Sequence, residues 1–158
     1  MDERPLAKNG GEQERIMRPL TREQAIRLLR SVPMGRVAFT YHAMPAIRPV
    51  NHMVDDAGRI VIRSHEGSAI VSAADARRGA VVTYEADLID TGARAGWTVV
   101  VTGLARIVDD PCRAAACREA LHPWVTGEMD YIISIEPAIV TAFELVRGRN
   151  SAPARLPA

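Results

Sequence analysis

The chain carries almost no lysine. Of its 20 basic residues only Lys8 is a lysine and the rest are arginines, so a side chain that grips an anion here does so with a planar, bidentate guanidinium. An excess of charge of either sign is also missing. The 20 Lys+Arg and 19 Asp+Glu leave a formal net charge of +1, without the positive field that a nucleic-acid-binding domain carries. Any basic function must therefore be local. Cysteine is nearly absent, and the spacing of Cys112 and Cys117 fits neither a CxxC redox pair nor a zinc pattern; both read as reduced, structural residues. No apolar run comes near the roughly 18 residues of a membrane helix. The start, Asp2, Glu3 and Arg4, lacks the apolar core of a signal peptide. The expectation is a cytoplasmic protein with neither nucleic acid nor membrane as a partner. There is no P-loop, no GxSxG and no metal-spaced cluster, so nucleotide hydrolysis, Ser-His-Asp hydrolysis and metal catalysis find no support.

At 158 residues the chain suits one domain able to bury a core without staples. Residues 1–18 read as a mobile polar tail, 19–149 as the domain and 150–158 as a Pro/Ala-rich tail. Thr21 followed by Gln24 is a capping box, and Ala25, Leu28, Leu29 and Val32 recur at helical spacing until Pro33 and Gly35 stop the helix. A strand follows over Gly35 to His42. A second helix is expected from Ser68 to Arg78, closed by Gly79, and a third from Pro111 to about Leu121 after Asp110. Ala80 to Ile89 alternates as a strand with Glu85 and Asp87 on its polar face, which reads as solvated or salt-bridged rather than catalytic. The longest extended run is Gly96 to Asp109, with a bulge or bend expected at Gly103. DYIISIEP and IVTAFELVRG read as two more strands. Six or seven antiparallel strands with three short helices make a mainly β protein, and a closed or split barrel leaves the fewest exposed edges.

The stretch from Pro45 to Ala73 carries most of the chemistry. It reads as a hairpin turning through Asp55-Asp56-Ala57-Gly58, then a helix start. With Val54 facing Arg59, one face holds Arg48, Val50, His52, Val54, Arg59, Val61, Arg63 and His65, and the other Ile47, Pro49, Asn51, Met53, Ile60, Ile62 and Ser64. The former face is basic and the latter has the composition of core. Glu66-Gly67-Ser68 follows, with Ser68 as an N-cap whose next N–H groups form an anion site. The combination points to a phosphate-bearing ligand.

From Leu20 to Arg149 the chain resembles the pyridoxamine 5′-phosphate oxidase-like superfamily, the FMN-binding split β-barrel, in its small bacterial form. The likeness rests on GRVAF at Gly35 to Phe39, P-x-x-RPVN at Pro45 to Asn51, IVIRS followed by Gly67-Ser68, the GW-x-V-x-V-x-G strand at Gly96 to Gly103, and Gly148-Arg149. The resemblance implies a flavin across a homodimer interface. Arg48, Pro49, Val50, Asn51 and His52 match the first cofactor strand and Ile62, Arg63 and Ser64 the second. Ser68 with Ala69 matches the helix start, and Trp97 the border of the isoalloxazine. Close relatives read G-S-K where this chain has Ala69, so one charge-assisted phosphate contact is missing, worth roughly 1.5–3 kcal/mol. Authentic pyridoxamine phosphate oxidases carry a longer C-terminal segment, so making pyridoxal phosphate is not the expected activity.

Those implications give three readings. The first is an FMN-dependent oxidoreductase acting on a small molecule, with no side-chain nucleophile required. The second is a related enzyme using a deazaflavin in the same cleft. The third is a non-catalytic flavin-binding or sensing dimer. No catalytic side chain is assigned. His42, His52, His65 and Trp124 are the available proton donors or stacking partners.

Overall fold

The computed structural model describes residues 15–75, 79–124 and 126–147. Seven strands, β1 (Arg15–Pro19), β2 (Met34–Tyr41), β3 (Met44–Val54), β4 (Ile60–Ser64), β5 (Ala80–Asp90), β6 (Ala95–Ile107) and β7 (Tyr131–Arg147), alternate with three helices. These are α1 (Arg22–Ser31), α2 (Ala69–Ala74) and α3 (Pro111–Ala120). All pairings are antiparallel, in the order β1-β7-β4-β3-β2-β5-β6, and β6 also pairs with β7. That last pairing closes the sheet into a barrel, which removes most free edges.

The barrel interior follows from alternation. Val37, Ile60, Ile62, Val82, Tyr84, Val99, Val101, Ile133 and Ile135 point inward, where Ala25 and Leu29 of α1 and Ile70, Val71 and Ala74 of α2 join them. A separate cluster of Val61, Ile132, Ala114 and Cys117 lies where α3 covers the outside of β4 and β7. Burying the larger of these side chains contributes about 1.5–3 kcal/mol each. Cys117 is thus a packing residue, while Cys112 is exposed.

Local signals set the helix ends as expected. The Thr21 side chain accepts from Gln24 N–H and the Gln24 side chain answers at Thr21 N–H, a complete capping box. Asp110 caps α3 through Cys112 and Arg113 N–H, with Pro111 at the first helical position. Register shifts at Thr102/Gly103, where a Cβ on Gly103 would lie 2.2 Å from Glu136 O; the expected bulge is there because only glycine lets the strands approach so closely.

Four expectations change. Residues 15–18 are not tail but part of β1, held by pairing Arg15↔Arg147 through Pro19↔Phe143; the pattern there is too short and too exposed to show periodicity. The two last strands are one, Tyr131–Arg147, running through Pro137 because that proline sits at the bulge opposite Gly103, where no ladder donor is needed. Helix α2 ends at Ala74, and residues 76–78 of its expected span, like Gly148-Arg149 and the 150–158 tail, lie outside the described residues.

The fourth change is the hairpin register. Val54 pairs with Ile60, not Arg59, followed by Met53↔Val61 and His52↔Ile62. The Asp55 carboxylate accepts from Ala57 and Arg59 N–H and from the Arg59 guanidinium, Asp55 N–H bonds Arg59 O, and Gly58 takes φ +78°. The loop is therefore one residue tighter. A one-residue slip moves every side chain of one strand to the other face. Ile60, Ile62 and Ser64 now share a face with His52 and Val54, and Arg63 stands with Asn51 and Met53.

Candidate functional site

β3 and β4 stay paired for only three residue pairs, ending at His52↔Ile62. Beyond that point β3 follows β2 and β4 follows β7, and a gap opens between the two strands. Because His52 N–H bonds Pro33 O on the β2 side, alternation turns the Asn51 N–H and C=O toward the gap. Pro49 costs nothing on that bank, since it has no N–H to leave unpaired.

The gap is a cleft of about 210 Å³. One bank is Arg48, Pro49, Val50 and Asn51; the other is Arg63, Ser64 and His65, continuing into Ser68, Ala69 and Ile70, with Met34, Trp124 and Met129 closing the ends. Eight of the eleven residues singled out from sequence therefore meet at one place. The reason differs from the one expected: Arg48 and Arg63 do not share a strand face but flank the point where two strands part.

Three of the expected residues lie elsewhere. His52 is 5% exposed and points into the barrel, bonded to Tyr84 and Leu29 O. Ile62 is fully buried opposite it. Trp97 faces inward at the α1 end and borders a different hollow beside Leu20, Gln24 and Leu28. Met34, Ile70 and Met129 were missed. Met34 pairs with Asn51 across the β2–β3 ladder, whose register the sequence reading did not set, and Met129 carries no sequence signal.

The two arginines have different duties. Arg63 donates from Nε to Met129 O at 2.9 Å and from Nη1 to Arg118 O and Leu121 O at 3.2 and 3.1 Å. It thereby caps the C-terminal carbonyls of α3 and ties Leu121 and Met129 to β4, an arrangement favoured by the helix dipole. Asn51 Nδ2 donates to His122 O at 2.9 Å, and Arg118 holds Asp130 O. Both thus build the wall that carries Trp124. Arg48, exposed and among the described residues bonded only through Nη1 to the adjacent Ile47 O, keeps most of its fork for a ligand.

Ser68 caps α2 by accepting from Val71 N–H, and its hydroxyl lies 2.8 Å from the Ser64 hydroxyl. Helix α2 has six residues, so its dipole adds little, and the useful donors here are the hydroxyls and the first-turn N–H groups. The arrangement suits an oxyanion: a guanidinium, two hydroxyls and backbone N–H groups around a small cleft. Glu85 and Asp87 both pair with Arg36, at 3.0 and 3.7 Å, as their salt-bridged reading anticipated. Among the described residues no three His, Cys, Asp or Glu gather as metal ligands, and no helix is long and apolar enough to cross a membrane.

The pyridoxamine 5′-phosphate oxidase family model matches residues 21–148. An uncharacterized protein of Mycobacterium tuberculosis is 52% identical over 130 residues, which is 80% of this chain and 84% of that protein. A provisionally named pyridoxamine 5′-phosphate oxidase of Corynebacterium glutamicum superposes with a TM-score of 0.70 at 32% identity, covering 82% of this chain and 98% of the other. The FAD binding protein of Mycobacterium smegmatis does so with a TM-score of 0.65 at 30% identity, over 80% and 96%. With a barrel of this topology and a match along nearly its whole described length, the chain belongs to the pyridoxamine 5′-phosphate oxidase family.

Proposed function

We propose that the cleft between β3 and β4 holds the phosphate end of a flavin, with FMN as the first candidate, and that the protein is a flavin-dependent oxidoreductase acting on a small molecule in the cytoplasm. The observation that carries this is the convergence of Arg48, Ser64, Ser68 and the Asn51 N–H on one gap. The Mycobacterium smegmatis relative, named for FAD binding, supports a flavin as the class of cofactor. When bound, the isoalloxazine supplies the electron transfer. The chain's own part is to bind and orient. Arg48 would neutralise the phosphate, and the serine hydroxyls and backbone N–H groups would fix its rotation.

A second copy of the chain completes the site. The cleft of about 210 Å³ is smaller than the roughly 300–1,000 Å³ usual for ligand pockets. Across the outer sheet face, Ile47, Ala38, Thr83, Thr102 and Ile139 pair in one uncharged row. Ile47 and Ile139 are both at least 60% exposed. Pro49 and Met34 of the cleft stand on the same face beside this row, so a copy docked there adds a wall to the cleft. The test is the visible spectrum of freshly purified protein, and of protein mixed with FMN or FAD, after gel filtration. A flavin band eluting at the mass of a dimer is the expected result; no band after reconstitution overturns the reading.

A further inference from the structure

The cleft does not end at Trp124. A second depression of about 290 Å³ shares Met34, Pro49 and Trp124 with it and runs on to Arg36 and Asp87. Trp124 is 66% exposed, an unusual cost for the largest apolar side chain, and it lines both hollows. Its position is built rather than incidental, since Asn51 and Arg63 hold the segment on either side of it through His122 O, Leu121 O and Met129 O.

The two hollows differ in charge. The first has Arg48 and Arg63 on its banks and no carboxylate. The second is lined by Arg36 and Asp87, and the same guanidinium answers both Asp87 at 3.7 Å and, outside the lining, Glu85 at 3.0 Å, so this three-residue cluster carries one net negative charge. The Asp87 side chain is 40% exposed and its longer contact leaves it the less committed of the two. Between the charges the floor is apolar, with Pro49 and Met34 opposite the indole. An aromatic face beside an undercompensated carboxylate attracts a flat cation and repels a flat anion.

We propose that this second depression is the substrate subsite, and that it selects planar aromatic molecules carrying a positive charge over those carrying a negative one. The assignment rests on the flavin reading of the neighbouring cleft, because it places the substrate next to the cofactor ring and away from the phosphate. A cation–π contact on an exposed indole and a rim ion pair each contribute a few-fold, so the preference for cation over anion is about tenfold.

The test uses two probes of the same shape and opposite charge, methylquinolinium and naphthalene carboxylate, titrated calorimetrically into the full-length protein with and without FMN. Methylquinolinium is expected to bind about tenfold more tightly. Asp87→Asn should remove most of the preference, Arg36→Gln should enlarge it, and Trp124→Ala should weaken both probes. Equal or reversed affinities, binding of neither probe, or a ratio that ignores both charge substitutions overturns the proposal. If FMN fails to bind while the charge preference persists, the cofactor reading falls and the subsite stands; if FMN binds and the preference is absent, the reverse holds.

Discussion

His52 Nδ1 accepts the Tyr84 hydroxyl hydrogen at 2.6 Å while its Nε2–H donates to Leu29 O at 2.8 Å. A carbonyl only accepts, so Nε2 must carry the hydrogen and the neutral ring presents Nδ1 as the acceptor. The imidazole therefore ties the end of α1 to the barrel interior, with every polar atom satisfied. Tyr84→Phe leaves Nδ1 buried without a partner, an expected loss of about 1–3 kcal/mol, read as a lower denaturant midpoint at unchanged slope.

The same pair gives the stability a pH dependence. Burial holds the His52 pKa below its ordinary 6.5, against the smaller opposing effect of the Leu29 carbonyl, and burial pushes the Tyr84 hydroxyl well above its usual range. Below about pH 6.5 the unfolded chain takes up a proton at His52 that the folded chain refuses, so this contribution is complete above that pH and is lost as pH falls below it. Urea midpoints between pH 7.5 and 5.5 should drop more for the wild type than for His52→Gln. A wild type that gains stability on acidification would contradict the assignment.

Gly35 is fixed by the same tyrosine. A Cβ built on it lies 2.1 Å from the Tyr84 hydroxyl oxygen and 2.6 Å from Glu85 O, and β2 cannot retreat because it is paired on both sides. Gly35→Ala is expected to cost about 1–3 kcal/mol by overpacking. Thermal unfolding of this variant beside Gly67→Ala checks it: Gly67 has open space around it, so its cost comes only from a φ of +75°.

Much of this was legible in the sequence, for physical reasons that can be named. The capping box at Thr21 and Gln24, the Asp110-Pro111 start of α3 and the Gly103 bulge are local chemistry, and local chemistry shows in the chain. The hairpin register was not legible. The Asp55 carboxylate captures two N–H groups and Arg59, which tightens the loop by one residue and reassigns every face beyond it. Burial pushes the Asp55 carboxyl up, but the Arg59 N–H and guanidinium, aided by Arg113, outweigh this and keep it below its ordinary value. His52 resembled a ligand because its partner, Tyr84, is 32 residues away. The eight residues of the cleft were found through the family resemblance and the basic composition. The parting of β3 from β4, which brings them together, is a property of the closed sheet.

The two cleft arginines should separate by phenotype. Arg63→Ala frees Met129 O, Arg118 O and Leu121 O, so it should destabilise the protein by about 1–3 kcal/mol and lower the fluorescence anisotropy of Trp124. Arg48→Ala should change stability by no more than about 0.5 kcal/mol and instead weaken anion binding. Equal stability losses in the two variants would contradict the division of roles.

Ala69 stands on the cleft bank at the start of α2. Placing an ammonium there adds a charge-assisted contact to a bound phosphate. Ala69→Lys is therefore expected to tighten FMN binding about tenfold to a hundredfold, measured by flavin fluorescence quenching at fixed ionic strength.

If the cleft recognises the flavin through its phosphate, a paired titration with FMN and riboflavin reveals it. The two ligands share the ring and differ only in the group assigned to Arg48, Ser64, Ser68 and the Asn51 N–H. FMN should bind at least tenfold more tightly, and Arg48→Ala should close most of that gap. Equal affinities for the two flavins, unaffected by Arg48→Ala, would contradict phosphate recognition by this cleft.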